Sequence, residues 1–209
     1  MNISPDVSSN ILDKIYNATL QGMPETKSCY DLADEYLAKY SSAEDAIDNF
    51  VKWQVRKCTT SGFVTSLGGI FTLPVAVPAN LTTVWYIQLR MIATIAIISG
   101  FNPSDDEVQT LAYLCLTGAS LAKVCKEAGI KVGQKFTVEA IKKIPVEIIH
   151  KINRLAMQRL VTKFGTTGVI NLGKMVPLVG GVIGGSFDFV GTKTVAYKAK
   201  DVFFFKKID

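Results

Sequence analysis

Three observations predict an all-α fold. Apolar residues recur with the helical period of about 3.6 through most of the chain, no stretch alternates with period two for long, and capping and breaking residues punctuate the sequence at helix-length intervals. The 209 residues suit a single multi-helix domain able to bury its own core. With 48% hydrophobic and 20% charged residues, 7 Pro and 4 Cys, the composition excludes a disordered tail, a collagen-like repeat and a disulfide scaffold. The same excess of apolar residues keeps membrane contact open.

The first 57 residues read as an acidic layer of amphipathic helices belonging to the same domain as the core that follows, 58–209. A helix spans roughly Ser9 to Leu20, with Ile11, Leu12 and Ile15 on one face, and Gly22-Met23-Pro24 ends it. Ser28 with Asp31 three positions on is an acidic variant of the capping box, opening a helix through Leu32 and Tyr36 to Tyr40. Ser42, again with an Asp three positions on, caps a third helix whose stripe is Ile47, Phe50, Val51 and Val55.

From Cys58 to Leu89 run 32 residues without a charge, which is membrane-length, since a spanning helix needs about 20 apolar residues. Gly62, Gly68, Gly69, Pro74 and Pro78 argue against one straight helix, because each proline removes a donor and clashes with the turn before it. The expectation is a short apolar or re-entrant element to about Leu73, then a helix from an Asn80 cap to Ser99, closed by Gly100. That helix is apolar nearly all round, so it is buried in a core or in lipid. Its single charge, Arg90, shares a stripe with Thr83, Tyr86 and Thr94 and needs an acceptor: a carboxylate such as Asp105, Asp106 or Asp188, or an anionic headgroup.

Ser104 and Glu107 have capping-box spacing for a helix continuing to about Cys125. Pro145 precedes a basic amphipathic helix, Val146 to Phe164, with Ile148, Ile149, Ile152, Leu155 and Ala156 opposite His150, Lys151 and Arg154. Such a helix can lie on a membrane or serve as a core helix with a solvated back. The last third carries Gly180, Gly181, Gly184 and Gly185, two overlapping small-residue spacings of four within the uncharged stretch Met175–Phe187, where close helix packing is favoured. In both apolar regions a polar residue precedes a cation by ten positions, Asn80 to Arg90 and Asp188 to Lys198. A distant internal repeat would pack the two Gly/Pro-interrupted elements centrally against each other as a pseudo-symmetric pair.

Charge follows a gradient. Residues 1–57 hold 6 Lys/Arg against 9 Asp/Glu, 58–122 hold 1 against 3, and 123–209 hold 16 against 6. A basic C-terminal part attracts anionic lipid or nucleic acid. Nucleic acid is disfavoured, as there is no Cys/His finger, no aromatic RNA-binding run and no uninterrupted basic helix.

No catalytic constellation emerges. Gly168 to Lys174 has Walker A spacing, but Met175 replaces the Mg²⁺-holding hydroxyl. The single histidine, His150, falls on a polar helix face, and Cys29, Cys58, Cys115 and Cys125 show no CxxC spacing, so neither a metal nor a cofactor is expected and the thiols read as buried. The start lacks a basic segment followed by an apolar one, which favours a cytoplasmic location.

The run GGIFTLPVAVPANLTTVWYIQLRMIATIAIISGFNPSDDEVQ resembles the central signature of the EcsC family: a Gly-containing apolar segment, Pro74 and Pro78, Gln88-Leu89-Arg90, Gly100 and an acidic helix start. Pro177 to Asp188, with its Gly pairs, resembles that family's second apolar element, and the likeness covers about 40–205. It implies a helical, membrane-associated protein without an established catalytic site. The sequence thus points to a cytoplasmic, non-catalytic protein peripheral to an anionic phospholipid membrane. The contacting residues would be Phe63, Leu67, Ile70 and Phe71 in the first element and Val182, Ile183 and Phe187 in the second. Arg90, Asp188 and Lys198 would serve headgroups or ion pairs. A module acting on a membrane-protein partner such as a transporter, or in self-assembly, is the alternative, and a lipid-modifying or hydrolytic enzyme comes third.

Overall fold

In the computed structural model the described residues are 5–23, 26–59, 79–120, 123, 144–164 and 182–204, with side chains described over 12–23, 26–56, 84–120, 123, 144–156, 158 and 191–204. These residues form seven helices and no strand: α1 (Pro5–Gln21), α2 (Cys29–Lys39), α3 (Ala43–Thr59), α4 (Ala79–Ile98), α5 (Asp106–Leu116), α6 (Val146–Phe164) and α7 (Val182–Phe203).

Local chemistry sets most boundaries. Gly22 ends α1 in the left-handed region (φ +79°). A Cβ there would lie 2.7 Å from the Thr26 carbonyl oxygen, so the turn requires glycine. The Ser28 capping box forms in full: the hydroxyl accepts from the Asp31 N–H (3.0 Å), and the Asp31 carboxylate accepts from the Ser28 N–H (3.1 Å). Ser42 likewise accepts from the Asp45 N–H at 3.1 Å. Gly100 (φ +87°) closes α4 in a Schellman motif: Gly100 N–H donates to the Ile97 carbonyl and Phe101 N–H to that of Ala96, both at 2.9 Å.

Three expectations are corrected. Helix α4 begins at Ala79, so Asn80 is a first-turn residue rather than its cap; a polar residue suits that turn, whose N–H groups have no intrahelical acceptor. The Ser104–Glu107 box does not form, because Asn102 organises the turn instead. Its Oδ1 accepts from the Ser104 N–H (3.1 Å), its Nδ2 donates to the Asp105 carboxylate (2.7 Å), and Asp105 becomes the N-cap residue with no bond from its side chain to the helix N–H groups. Helix α5 stops at Leu116, well before Cys125, because Gly118 turns left-handed (φ +71°) and its N–H bonds the Cys115 carbonyl. At Pro145, by contrast, α6 starts where expected, the proline carbonyl accepting from Ile148 and Ile149.

Helix α4 is the axis of the molecule and packs against α1, α2, α3, α5 and α7, while α6 lies against α5 and α1. Every residue from Trp85 to Ala96 is buried, including Gln88, Arg90 and Thr94. The all-round apolar character is therefore that of a core helix. One continuous core takes Leu12, Ile15 and Tyr16 from α1, Ile47 and Phe50 from α3, Leu111 and Leu114 from α5, Ile152 and Ala156 from α6, and Val195, Ala199 and Phe203 from α7. Burial of Ile149, Ile152 and Ala156 assigns α6 the role of a core helix with an exposed back, not a free amphipathic helix. Among the described residues no helix is long and apolar enough to cross a membrane.

Gln88 Nε2 donates to Thr192 Oγ1 (3.3 Å), and Phe101 meets Phe203 edge to face (5.3 Å), so α4 and α7 run side by side in the same direction. Helices α4 and α7 thus pack together, while the Gly/Pro-interrupted elements before them fall largely outside the described residues. The cations of the two helices, however, are not equivalent: Arg90 is buried and Lys198 is partly exposed beside the Tyr197 ring.

Candidate functional site

Two features carry chemistry: a buried guanidinium under the α1–α2 connection, and a basic, aromatic strip on α7. Arg90 projects from the middle of α4 with 7% exposure. Its Nη1 donates to the hydroxyl of Tyr86, one turn back, at 2.9 Å, and the guanidinium carbon lies 5.8 Å from that ring's centroid. Its Nη2 donates to the backbone carbonyl of Lys27. Nε is buried with no acceptor. The helical spacing predicted the Tyr86 contact. The described residues bring neither Asp105 nor Asp106 to Arg90, Asp105 being held by Asn102, and the side chain of Asp188 lies outside them. A main-chain carbonyl 63 residues away has no signature in residue type, so nothing in the sequence could have named Lys27.

The surroundings are neutral. Thr26 Oγ1 lies 3.3 Å from the Tyr86 hydroxyl and donates to the Met23 carbonyl at 3.0 Å. The Cys29 thiol donates to the Thr19 carbonyl (3.1 Å) and reaches that of Arg90 (3.7 Å). Burial pushes this thiol up to about 11, partly offset by Thr94 and the Arg90 charge, so it is uncharged at neutral pH and supplies no counter-ion. Two of the three carboxylates of α2 are engaged elsewhere, Asp31 by Ser28, whose hydrogen bonds hold it below its usual value, and Glu35 by the Lys27 ammonium at 2.8 Å, and the third, Asp34, is exposed.

On α7 the buried residues Thr192, Val195, Ala196, Ala199 and Val202 leave an outer face with Lys193, Tyr197 and Lys200 spaced one turn apart, beside the exposed Thr194 and Asp201. Lys193 is exposed, Tyr197 is 67% exposed, and Lys200 pairs with Asp48 of α3. The Lys198 ammonium lies 5.4 Å from the Tyr197 ring centroid. Trp53 adds a second aromatic, 48% exposed, on the outer side of α3. Sequence reasoning missed Tyr197 and Trp53 as surface aromatics. The available signal was their position out of phase with the buried stripes of their own helices.

Of the residues expected at a membrane contact, in close helix packing or at a headgroup, Phe63, Leu67, Ile70, Phe71, Gly180 and Gly181 lie outside the described residues. Val182, Ile183, Gly184, Gly185, Phe187 and Asp188 are described only as backbone in the first turns of α7. His150 is exposed, and Cys29 and Cys115 are buried free thiols. Among the described residues no group of His, Cys, Asp and Glu could hold a metal ion.

Neither a curated protein nor a solved structure matches this chain. A sequence model of the EcsC protein family matches residues 2–205, almost the whole length, so the chain belongs to the EcsC family.

Proposed function

We propose that this EcsC-family protein associates peripherally with anionic membrane at the cytoplasmic face, without catalysis, through the α7 strip and the uncharged segments 62–79 and 176–187. The observation that carries the reading is the strip itself: an exposed Tyr197 flanked by Lys193 and Lys198 on a helix whose first turns continue an uncharged, glycine-paired stretch. Tyrosine places an apolar ring and a polar tip at headgroup depth, and lysines beside it meet lipid phosphates. Each lysine close to an anionic surface is worth about 1 kcal/mol, and the basic C-terminal part adds a longer-ranged attraction. Apolar segments entering the interface would contribute a component that salt does not screen.

Flotation of the full-length protein with vesicles tests this directly. Vesicles containing phosphatidylserine should carry the protein upward, and pure phosphatidylcholine vesicles should carry far less. Lys193→Ala or Lys198→Ala should weaken binding about fivefold each. Equal flotation with both compositions, or none with either, would sink the proposal.

A further inference from the structure

Among the described residues, no anion faces the buried Arg90. Removing a guanidinium from water is costly unless an anion or a full set of acceptors receives it. Here the acceptors are one phenol and one carbonyl, both neutral, and Nε–H has none. The neighbouring thiol is uncharged, Asp31 and Glu35 of α2 are bonded to Ser28 and Lys27, and Asp34 is exposed. The cover over the guanidinium is thin: Thr26 is half-buried and Lys27 exposed, in the short connection between the Gly22 turn and the Ser28 cap.

We propose that Arg90 is the floor of an anion site roofed by residues 26–28, and that its ligand is a phosphate group. An incoming oxyanion would accept from Nε–H and one Nη–H in the forked geometry that guanidinium offers, taking over from the Lys27 carbonyl. The Tyr86 hydroxyl stands beside that fork and can donate its proton, while Thr26 Oγ1, 3.3 Å away, keeps its own on the Met23 carbonyl. A forked pair of guanidinium N–H donors with a hydroxyl beside it matches the oxygens of a phosphate group. A free phosphomonoester and a lipid phosphomonoester headgroup present the same chemistry. The site is read in solution, so it stands or falls separately from the α7 strip.

The test is titration of the full-length protein with inorganic phosphate at constant ionic strength, followed by calorimetry and by ³¹P NMR line width. Saturable binding of one phosphate per chain is expected, weakened at least tenfold in Arg90→Lys, which keeps the charge but loses the fork. Tyr86→Phe, which removes one donor at constant shape, should weaken it severalfold and carries the same reading if Arg90→Lys does not fold. Vesicles containing phosphatidic acid identify the source. Competition with inorganic phosphate assigns a lipid headgroup, and unchanged phosphate binding assigns a soluble phosphomonoester. Absence of saturable phosphate binding by the wild-type protein, or equal affinity in both folded variants, overturns the proposal.

Discussion

Cys29 and Cys115 lie in the core, and desolvation raises both thiols above their ordinary value, Cys29 to about 11. Linkage turns that burial into a pH dependence. Between pH 9 and 11 an unfolded chain has released these protons while the folded chain still holds them, so the native state binds more protons and loses stability as pH rises. The contribution is fully present below the unfolded value and is lost as pH rises through the folded one. Each thiol contributes a slope of about 1.4 kcal/mol per pH unit in this window. Above pH 10 the buried hydroxyls of Tyr16 and Tyr113, raised by the same cause, add in the same sense. Urea denaturation from pH 7.5 to 11 should therefore show a plateau followed by a steep fall, and Cys29→Ala should make the fall between pH 9 and 10 shallower. An unchanged slope in that variant would remove the assignment to Cys29.

Helix ends separate what three or four neighbouring residues decide from what distant contacts decide. The Ser28–Asp31 and Ser42–Asp45 caps, the Gly22 and Gly100 stops and the Pro145 start were legible because donor, acceptor and backbone conformation all lie within one turn. At 102–107 two local solutions competed, and the Asn102 side chain, which satisfies both a backbone N–H and a carboxylate, displaced the Ser104–Glu107 box. The Arg90 stripe was legible as far as Tyr86 and no further, because its other partner is main chain in another helix connection. The two helix-ending glycines allow a graded test. Alanine at Gly100 meets nothing within 4 Å and bears only the left-handed penalty, about 1 kcal/mol, whereas alanine at Gly22 bears that penalty and a clash with the Thr26 carbonyl, giving at least about 2 kcal/mol. Thermal unfolding should rank Gly22→Ala below Gly100→Ala, and the reverse order would mean that the α1–α2 turn shifts freely.

Across the whole molecule, charge and burial are arranged so that electrostatic and apolar contributions to surface binding can be separated. Residues 1–122 carry 7 Lys/Arg against 12 Asp/Glu and 123–209 carry 16 against 6, so the chain is polarised and its basic part includes α6 and α7. The exposed back of α6 carries Lys151 and Arg154, while Ile149, Ile152 and Ala156 of its apolar face are buried where it packs on α5 and α1. Tyr197, by contrast, is an exposed ring whose replacement opens no cavity, and surface changes of this kind shift stability by no more than about 0.5 kcal/mol. Two variants should therefore split the response. Lys193→Glu should flatten the dependence of vesicle affinity on salt while leaving the residual binding at high salt, where the screening length is only about 3 Å. Tyr197→Ser should keep the slope and lower the residual, since loss of a buried ring is not screened. Sedimentation with phosphatidylserine vesicles across a salt series measures both quantities at once. If both variants changed slope and residual together, the strip would be binding as one electrostatic patch, and the ring would have no separate role at the membrane.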